Sequence, residues 1–166
     1  MMLRRTVLLL ALVLAAGCRP RPEAVEVSVF FTRTDGIAIV LAEATRTVAG
    51  GDVSALIRSA LAVLLEGPTE AEQAQGLVSQ IPAGTELRGV RVAAGVVRAD
   101  FSKEVESGGG SASMLGRMWQ IVYTATQFPR APRVQILIDG QQREAMGGEG
   151  VIIAEPLTRP RTPPRF

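Results

Sequence analysis

Residues 52–68, with the sequence DVSALIRSALAVLLEGP, carry the most regular pattern in the chain. Their apolar side chains recur at intervals of three and four residues, which is the spacing of a helix face that packs on a core. These side chains are Val53, Leu56, Ile57, Ala60, Leu61 and Leu64. Asp52 is a good N-cap residue, and Gly67-Pro68 ends the pattern because proline cannot continue a helix. The stretch therefore predicts a core-facing helix.

The residues before this helix predict a β-hairpin. Residues 24–31 (AVEVSVFF) alternate in side-chain character, as a half-buried strand does. Asp35-Gly36 is a strong turn dipeptide, and residues 37–41 supply a second strand. Residues 45–51 are then expected to form a loop that leads to the helix.

The residues after this helix predict further strands and a second long helix. Polar residues 69–75 fit either an exposed helical turn or a loop. The second long helix begins near Ser111 and carries an apolar face up to about residue 128. Strands are expected at residues 86–93, 96–101, 134–138 and 150–154, the first two joined by the Ala94-Gly95 turn.

The order of these elements, ββ-α-ββ-α-ββ, indicates the fold class. Tight turns favour antiparallel neighbours, and helices must bury their apolar stripes against the sheet. The sequence therefore predicts an α+β fold with a mostly antiparallel sheet of about five to six strands and two helices packed on one face. A length of 166 residues is ordinary for one domain.

The N-terminus has the pattern of a secretory signal peptide over residues 1–17. Arg4 and Arg5 form a positive start, and residues 7–16 (VLLLALVLAA) are uniformly apolar. As a helix this run would rise about 15 Å, which is half of a ~30 Å hydrocarbon core. A transmembrane span is therefore not expected.

Cys18 follows this apolar run directly. Residues 14–18 (LAAGC) resemble a lipobox, in which the cysteine is acylated, for example with palmitate, and becomes the mature N-terminus. Residues 18–24 are expected to form a tether off the membrane, because two prolines in them resist regular structure. The alternative is an ordinary cleaved signal with a chance cysteine.

The composition argues against several classes of function. The chain has no histidine and only one cysteine, so it lacks the commonest general base and cannot form an intrachain disulfide. Its 18 basic residues become 16 when Arg4 and Arg5 leave with the signal, which balances the 16 acidic residues. The basic residues are scattered, so no nucleic-acid partner is expected. Residues 159–166 (RPRTPPRF) are expected to be a disordered tail.

Asp100, Ser102 and Lys103 come nearest to a catalytic set. A serine nucleophile needs a base within hydrogen-bond reach, and Lys103 is the candidate beside it. We instead expect Asp100 and Ser102 to end a strand and to accept hydrogen bonds from local turn amides. Glu104 and Glu106 would point to the same side of a strand, but no further metal ligands accompany them. No catalytic, cofactor or metal site is predicted.

The segment Gly108-Gly109-Gly110-Ser111 precedes the second long helix. Free amides at a helix N-terminus could hold an anion, but the lysine and spacing of a phosphate loop are absent. A flexible loop with Ser111 as the N-cap is expected instead. Asp139-Gly140 is expected to be a turn, and core packing is expected for the aromatic residues Trp119, Tyr123 and Phe128.

Six short motifs follow one another between residues 25 and 158. They are Val29-Phe30-Phe31, Leu64-Leu65-Glu66-Gly67-Pro68, Ile81-Pro82-Ala83-Gly84-Thr85, Ala99-Asp100-Phe101-Ser102, QIVYTATQFP at residues 120–129, and Ile138-Asp139-Gly140. Each motif is short, and the ordered set is what is specific. Together they resemble the GerMN domain, also called the sporulation and spore germination domain, over nearly all of the mature chain.

The resemblance implies a small α/β domain of bacterial lipoproteins that serves in envelope assembly and binding rather than in catalysis. Family members include a spore-germination lipoprotein of a channel-like complex and lipoproteins that modulate a sensor kinase. We therefore expect a non-enzymatic module that a lipid anchor holds at the extracytoplasmic face of the cell membrane, with an envelope protein or cell-wall polymer as partner. Two alternatives stay open: a carboxylate-based hydrolase of cell-wall glycans, and a small-ligand carrier.

Overall fold

The computed structural model describes residues 23–148 and 150–166. The predicted signal peptide, Cys18 and most of the predicted tether lie outside the described residues. The helices are α1 Val53–Leu65, α2 Glu70–Ala74 and α3 Ser111–Ala125, with a 3₁₀ turn at Lys103–Glu106. The strands are β1 Ala24–Asp35, β2 Ala38–Ala49, β3 Leu87–Ala93, β4 Val96–Phe101, β5 Arg133–Ile138, β6 Gln141–Gln142, β7 Ala145–Met146, β8 Val151–Ile152 and β9 Leu157–Thr158.

Helix α1 forms where the apolar spacing predicts it. The Asp52 side chain accepts a hydrogen bond from the Ala55 N–H at 2.8 Å, which confirms the N-cap. Gly67, with φ +85°, follows the helix end as expected. The polar residues that follow form the short helix α2. A capping box between Thr69 and Glu72 stabilises its N-terminus. Buried on the inner face of α1 are Ile57, Ala60, Leu61 and Leu64.

Strands β1 and β2 form a long antiparallel hairpin. The pairing runs from the turn at Gly36, with φ +64°, to the pair Ala24 and Ala49. Strand β2 thus continues through most of the segment for which the sequence predicted a loop. The extension is stabilised because Val48 packs in a small buried cluster with α1.

The second sheet has the strand order β3-β4-β5-β6, and β9 also pairs with β5. Strands β3 and β4 form an antiparallel hairpin around Ala94-Gly95, whose φ angles of 48° and 73° fit a type I′ turn. Strands β4 and β5 are parallel, because α3 lies between them in the chain and carries it back across the sheet. Strands β7 and β8 pair only with each other among the described residues.

This architecture confirms the α+β fold class and refines its sheet. The described strands form three sheets instead of the predicted single one, and the five-stranded sheet contains a parallel pair. Helices α1 and α3 contact the β1/β2 hairpin as well as the second sheet, so their apolar side chains join both sheets into one core. The largest fully buried side chains include Phe31, Ile57, Leu61, Leu64, Phe101, Ile121, Ile136 and Ile138.

Helix α3 is buried around nearly its whole circumference. Its polar residues Arg117, Gln120 and Thr124 are buried together with the predicted apolar face. A helix with this burial has neighbours on every side. The helix begins after Gly110, which occupies the N-cap position with an extended backbone. Ser111 is therefore the first helical residue, and the prediction that it caps the helix is wrong.

Residues 159–166, for which composition predicts disorder, lie against the hairpin and α3. The Arg159 guanidinium carbon lies 5.1 Å from the ring centroid of Phe30 and 4.7 Å from that of Tyr123. At the other end of this tail, the N–H and C=O of Phe166 bond to Ile39 at 3.1 and 2.7 Å. Cation–π contacts and backbone pairing thus order a segment whose proline content resists regular structure.

Candidate interaction surface

Asp100 and Ser102 hold the end of β4 to neighbouring segments. An Asp100 carboxylate oxygen accepts a hydrogen bond from the Gly140 N–H at 2.7 Å. The Ser102 hydroxyl oxygen accepts one from the Glu86 N–H at 3.0 Å. Both side chains thus bond backbone amides as predicted, but the amides are 40 and 16 residues away in the chain rather than in a local turn.

Asp139 completes a reciprocal arrangement at the ends of β4 and β5. Its φ of 50°, followed by 75° at Gly140, confirms the predicted turn. The Asp139 carboxylate accepts a hydrogen bond from the Lys103 N–H at 3.2 Å and pairs with Arg88 at 2.6 Å. The carboxylates of Asp100 and Asp139 therefore each hold the backbone of the other's segment.

Glu104 and Glu106 lie in the 3₁₀ turn and not on a strand, so the prediction that they share a strand face is wrong. A hydrogen bond from Ser102 lowers the pKa of Glu104, while Glu106 accepts from the Gly147 N–H at 3.2 Å. In the part of the chain that the structure describes, no group of three or more acidic, histidine or cysteine side chains could hold a metal ion.

The glycine-rich segment before α3 wraps around the buried guanidinium of Arg117. This group donates to the carbonyls of Gln80, Val105 and Gly108 at 2.7, 3.0 and 2.6 Å. A Cβ at Gly109 would lie 2.8 Å from its Nη2 atom, so this position needs glycine. Burial lowers the pKa of Arg117. A loop carbonyl already bonds this cation, which favours a structural role over anion binding.

The aromatic side chains of α3 pack in the core as predicted. The Tyr123 ring meets the rings of Phe30 and Trp119 edge-on, with centroids 5.2 and 6.3 Å apart. Burial raises the pKa of Tyr123, whose hydroxyl donates to the carbonyl of Pro160 at 3.1 Å. Phe128 packs half-buried against the main core. The rings of Phe30 and Tyr123 thus support the tail rather than an open binding patch.

The outer edge of β1, which faces away from β2, is closed by other elements. Alternate residues of β1 turn their backbone groups toward this edge. Ser28 bonds Gln127 through both its N–H and its C=O at 2.8 Å, Phe30 donates to Thr124 at 3.2 Å, and Thr32 exchanges backbone bonds of 2.9 and 2.7 Å with Val78. Two polar residues of the motif at 120–129 therefore serve to cover a strand edge.

Within the described part of the chain, backbone pairing closes the outer edge of β2 only at its turn end. Ile39 exchanges backbone hydrogen bonds with Phe166, and the next such pair would join Leu41 to Pro164, which has no N–H. Alternation turns the N–H groups of Leu41, Glu43, Thr45 and Thr47 to the same side. No acceptor among the described residues bonds them. We call residues 41–47 the open edge; it is about 20 Å long.

An ion pair holds β2 from its inner side, beside this open edge. The Arg46 guanidinium makes two hydrogen bonds to the Glu72 carboxylate, at 2.7 and 2.6 Å, and also donates to the carbonyl of Thr45 at 3.0 Å. The Arg46 hydrogen bond lowers the pKa of Glu72 to about 2. On the other face of β2, the Glu43 carboxylate accepts from the Ser28 hydroxyl. The open edge thus lies on a strand that is fixed in place.

The described residues include no helix that is long and apolar enough to cross a membrane. A family model, described as Germane, sporulation and spore germination, matches residues 28–144. The matched span runs from β1 to the residues after β6. It includes the closed edge of β1, the open edge of β2, and the Asp100 and Asp139 hydrogen bonds at the ends of β4 and β5. No curated protein matches the chain in sequence at a significant level.

Solved structures with this fold include GerMN domains of the sporulation protein GerM from Bacillus subtilis. The tandem domains align with a TM-score of 0.63 and 19% identity, over 82% of this chain and 46% of theirs. The first GerMN domain alone gives 0.63 and 20%, over 81% and 98%. A candidate lipoprotein from Clostridium perfringens gives 0.58 and 21%, over 82% and 88%. This chain thus spans about half the length of the tandem-domain structure.

Proposed function

Because the chain belongs to the family of sporulation and spore germination (GerMN) domains, we propose that it is a lipid-anchored, non-enzymatic binding and assembly module of the bacterial cell envelope. Acyl chains on Cys18 hold it at the extracytoplasmic face of the membrane, and residues 18–24 form the tether. The apolar run that ends at Cys18 supports this anchor, as does the similarity to a candidate lipoprotein.

The use of the polar motif residues supports a role in binding rather than in catalysis. Asp100, Ser102 and Asp139 accept hydrogen bonds from backbone amides, and Asp139 also pairs with Arg88. A general base or nucleophile must instead present its reactive atom to a substrate. In this protein the motif carboxylates join strands to each other, which is the work of a scaffold.

The open edge of β2 is the observation that carries the binding proposal. Unpaired N–H and C=O groups on an edge strand are a template for a further strand. An extended segment of an envelope protein adds to residues 41–47 by backbone hydrogen bonding. Residues that alternate on the two faces, from Leu41 to Thr47, then contact the side chains of the partner and give specificity.

A proline at position 45 tests this binding mode. The Thr45 N–H points away from β1, so Thr45→Pro removes one donor of the open edge without breaking a hydrogen bond of the hairpin. Thr45→Val keeps the N–H and a β-branched shape, and it is the matched control. Cells that produce tagged wild type or either variant are chemically cross-linked, and the tagged chain is purified from the membrane fraction.

We expect one cross-linked protein to recur with wild type and with Thr45→Val and to fall at least tenfold with Thr45→Pro, since a strand cannot pair past the proline. Circular dichroism must show that Thr45→Pro keeps its fold. A partner that all three chains capture equally would contradict strand addition at this edge.

Intact mass spectrometry tests the anchor separately. Wild type extracted from membranes is expected to have the mass of a chain that begins at Cys18 plus acyl groups, and Cys18→Ser is expected to lose them. An unmodified wild-type chain would remove the lipoprotein proposal and leave strand addition to be judged on its own.

A further inference from the structure

The second sheet carries a cleft on the face that is opposite the helices. Along β4, Val97 and Ala99 point into the core, so Arg98 between them points to the other face. The cleft has a volume of about 550 Å³, within the range of small-molecule sites. Its lining residues include Arg91, Val96, Arg98, Gln135, Gln142 and Pro156.

Two arginines stand directly opposite each other in this cleft. Arg91 on β3 and Arg98 on β4 are register partners, and like charges in this position repel each other. No carboxylate among the described residues lies within 4.0 Å of either guanidinium. Asp100 shares their face, but one of its oxygens already accepts from the Gly140 N–H. The ion pairs of Arg46, Arg88 and Arg165 show that the chain pairs other arginines.

Two glutamines complete the polar lining. Gln135 is the register partner of Arg98 on β5, and its side chain is buried. The side-chain NH₂ of Gln135 donates to the carbonyl of Ile153 at 2.8 Å. The side-chain NH₂ of Gln142 donates to the carbonyl of Ala154 at 2.6 Å. No donor among the described residues bonds either side-chain oxygen, so both are acceptors for a ligand.

We propose that this cleft binds a phosphate ester that carries neighbouring hydroxyl groups, such as a glycerol phosphate unit. Two guanidinium groups from adjacent strands together offer more donors than one carboxylate can accept, whereas a phosphate group has oxygens for both. The glutamine oxygens accept from the hydroxyl groups, and the small apolar lining contacts the carbon chain. This site is separate from the open edge and does not depend on strand addition there.

The proposal gives the unpaired arginine pair a role. Without a ligand the two positive charges oppose each other, so removing one of them should not lower stability. With phosphate bound, the same two charges become attractive partners. The melting temperature should therefore respond to phosphate in the wild type and not in Arg91→Gln or Arg98→Gln.

The test uses the full-length protein in phosphate-free detergent micelles. Inorganic phosphate and glycerol 3-phosphate are titrated while the Nε–Hε signals of the arginines are followed by NMR and the melting temperature by circular dichroism. Arg161→Gln also removes one exposed, unpaired arginine, and it is the matched control. The source of the phosphate is then tested with a glycerol phosphate polymer, and with nanodiscs that contain phosphatidylglycerol or only phosphatidylcholine.

We expect saturable shifts at Arg91 and Arg98, tighter binding of glycerol 3-phosphate than of phosphate, and at least tenfold weaker binding in Arg91→Gln and Arg98→Gln. Arg161→Gln should behave as wild type. Arginine-dependent binding of the polymer alone assigns the site to a wall polymer, and binding of phosphatidylglycerol nanodiscs alone assigns it to a headgroup. Equal responses in all four chains, or no response to any phosphate probe, would overturn the proposal.

Discussion

Strands β1 and β2 of the N-terminal hairpin are equally long, but their outer edges differ in how far other segments hydrogen-bond them. The edge of β1 is bonded from Ser28 to Thr32 by Gln127, Thr124 and Val78. Among the described residues, the backbone of another segment bonds the edge of β2 only at Ile39. A buried backbone group must find a partner inside the molecule, whereas an edge at the surface can use water or another chain. The closed edge of β1 therefore ties the hairpin to the rest of the domain, whereas the open edge of β2 lacks such backbone partners among the described residues.

Gln127→Ala should show the largest effect, because it opens the closed edge. Gln127 bonds the N–H and C=O of Ser28 and also donates to the carbonyl of Thr124 at 2.7 Å. Leaving these groups without partners should cost about 2–3 kcal/mol of unfolding free energy. Urea unfolding measures it, with Thr45→Ala on the open edge as the control, expected within about 0.5 kcal/mol. Equal losses of unfolding free energy in Gln127→Ala and Thr45→Ala would show that the two edges do not differ in their contribution to stability.

A smaller effect is expected when the inner support of β2 is titrated. The Arg46 hydrogen bond lowers the pKa of Glu72 from 4.5 to about 2, so the folded state binds this proton less readily than the unfolded state does. The stabilisation is present above pH 4.5 and is lost as the pH falls toward 2. After allowance for solvent screening, we expect about 1–2 kcal/mol.

Unfolding free energies between pH 6 and pH 2 measure this contribution, with Glu72→Gln as the reference. The wild type should lose more stability than Glu72→Gln over the interval below pH 4.5, since the variant has no carboxylate to protonate. Parallel curves for the two chains would show that the ion pair does not support β2.

The smallest effect is expected from closing more of the open edge. Pro164→Ala restores a donor opposite Leu41, so the tail can bond β2 one pair further. The gain in stability should not exceed about 0.5 kcal/mol, because the unfolded chain also becomes more flexible. Hydrogen exchange at Leu41 should slow, and cross-linking of a partner should fall. Pro163→Ala, one residue away, should leave both unchanged; the same slowing there would assign the effect to tail flexibility.

The elements that could be predicted from the sequence are those whose evidence is local. For helix α1, residues 52–68 contain the N-cap residue, the apolar face and the Gly67-Pro68 end signal, and the structure confirms each of them. The Ala94-Gly95 hairpin is equally local, since its type I′ turn depends on two adjacent positive φ angles. The α+β class follows from such elements because their order leaves few ways to bury their apolar faces.

The parts that could not be predicted depend on partners that are distant in the chain. Gln127 and Ser28 are 99 residues apart, so the closing of the β1 edge leaves no local pattern. Arg117 is a charged residue of helix α3, which would ordinarily lie at the surface. Its guanidinium is instead buried and bonded by the loop that precedes the helix. The tail is ordered by the rings of Phe30 and Tyr123, which its own composition does not reveal. The open edge likewise required the β1–β2 register.

The closed edge of β1 also has a mechanical consequence. This strand is the first element of the described chain, and it is bonded to β2 on one side and to α3 and Val78 on the other. A pull on residue 23 along the strand loads these hydrogen bonds together in shear, whereas a hairpin pulled from its turn opens one bond at a time. We therefore expect the domain to resist a force applied at residue 23 better than one applied at the hairpin turn.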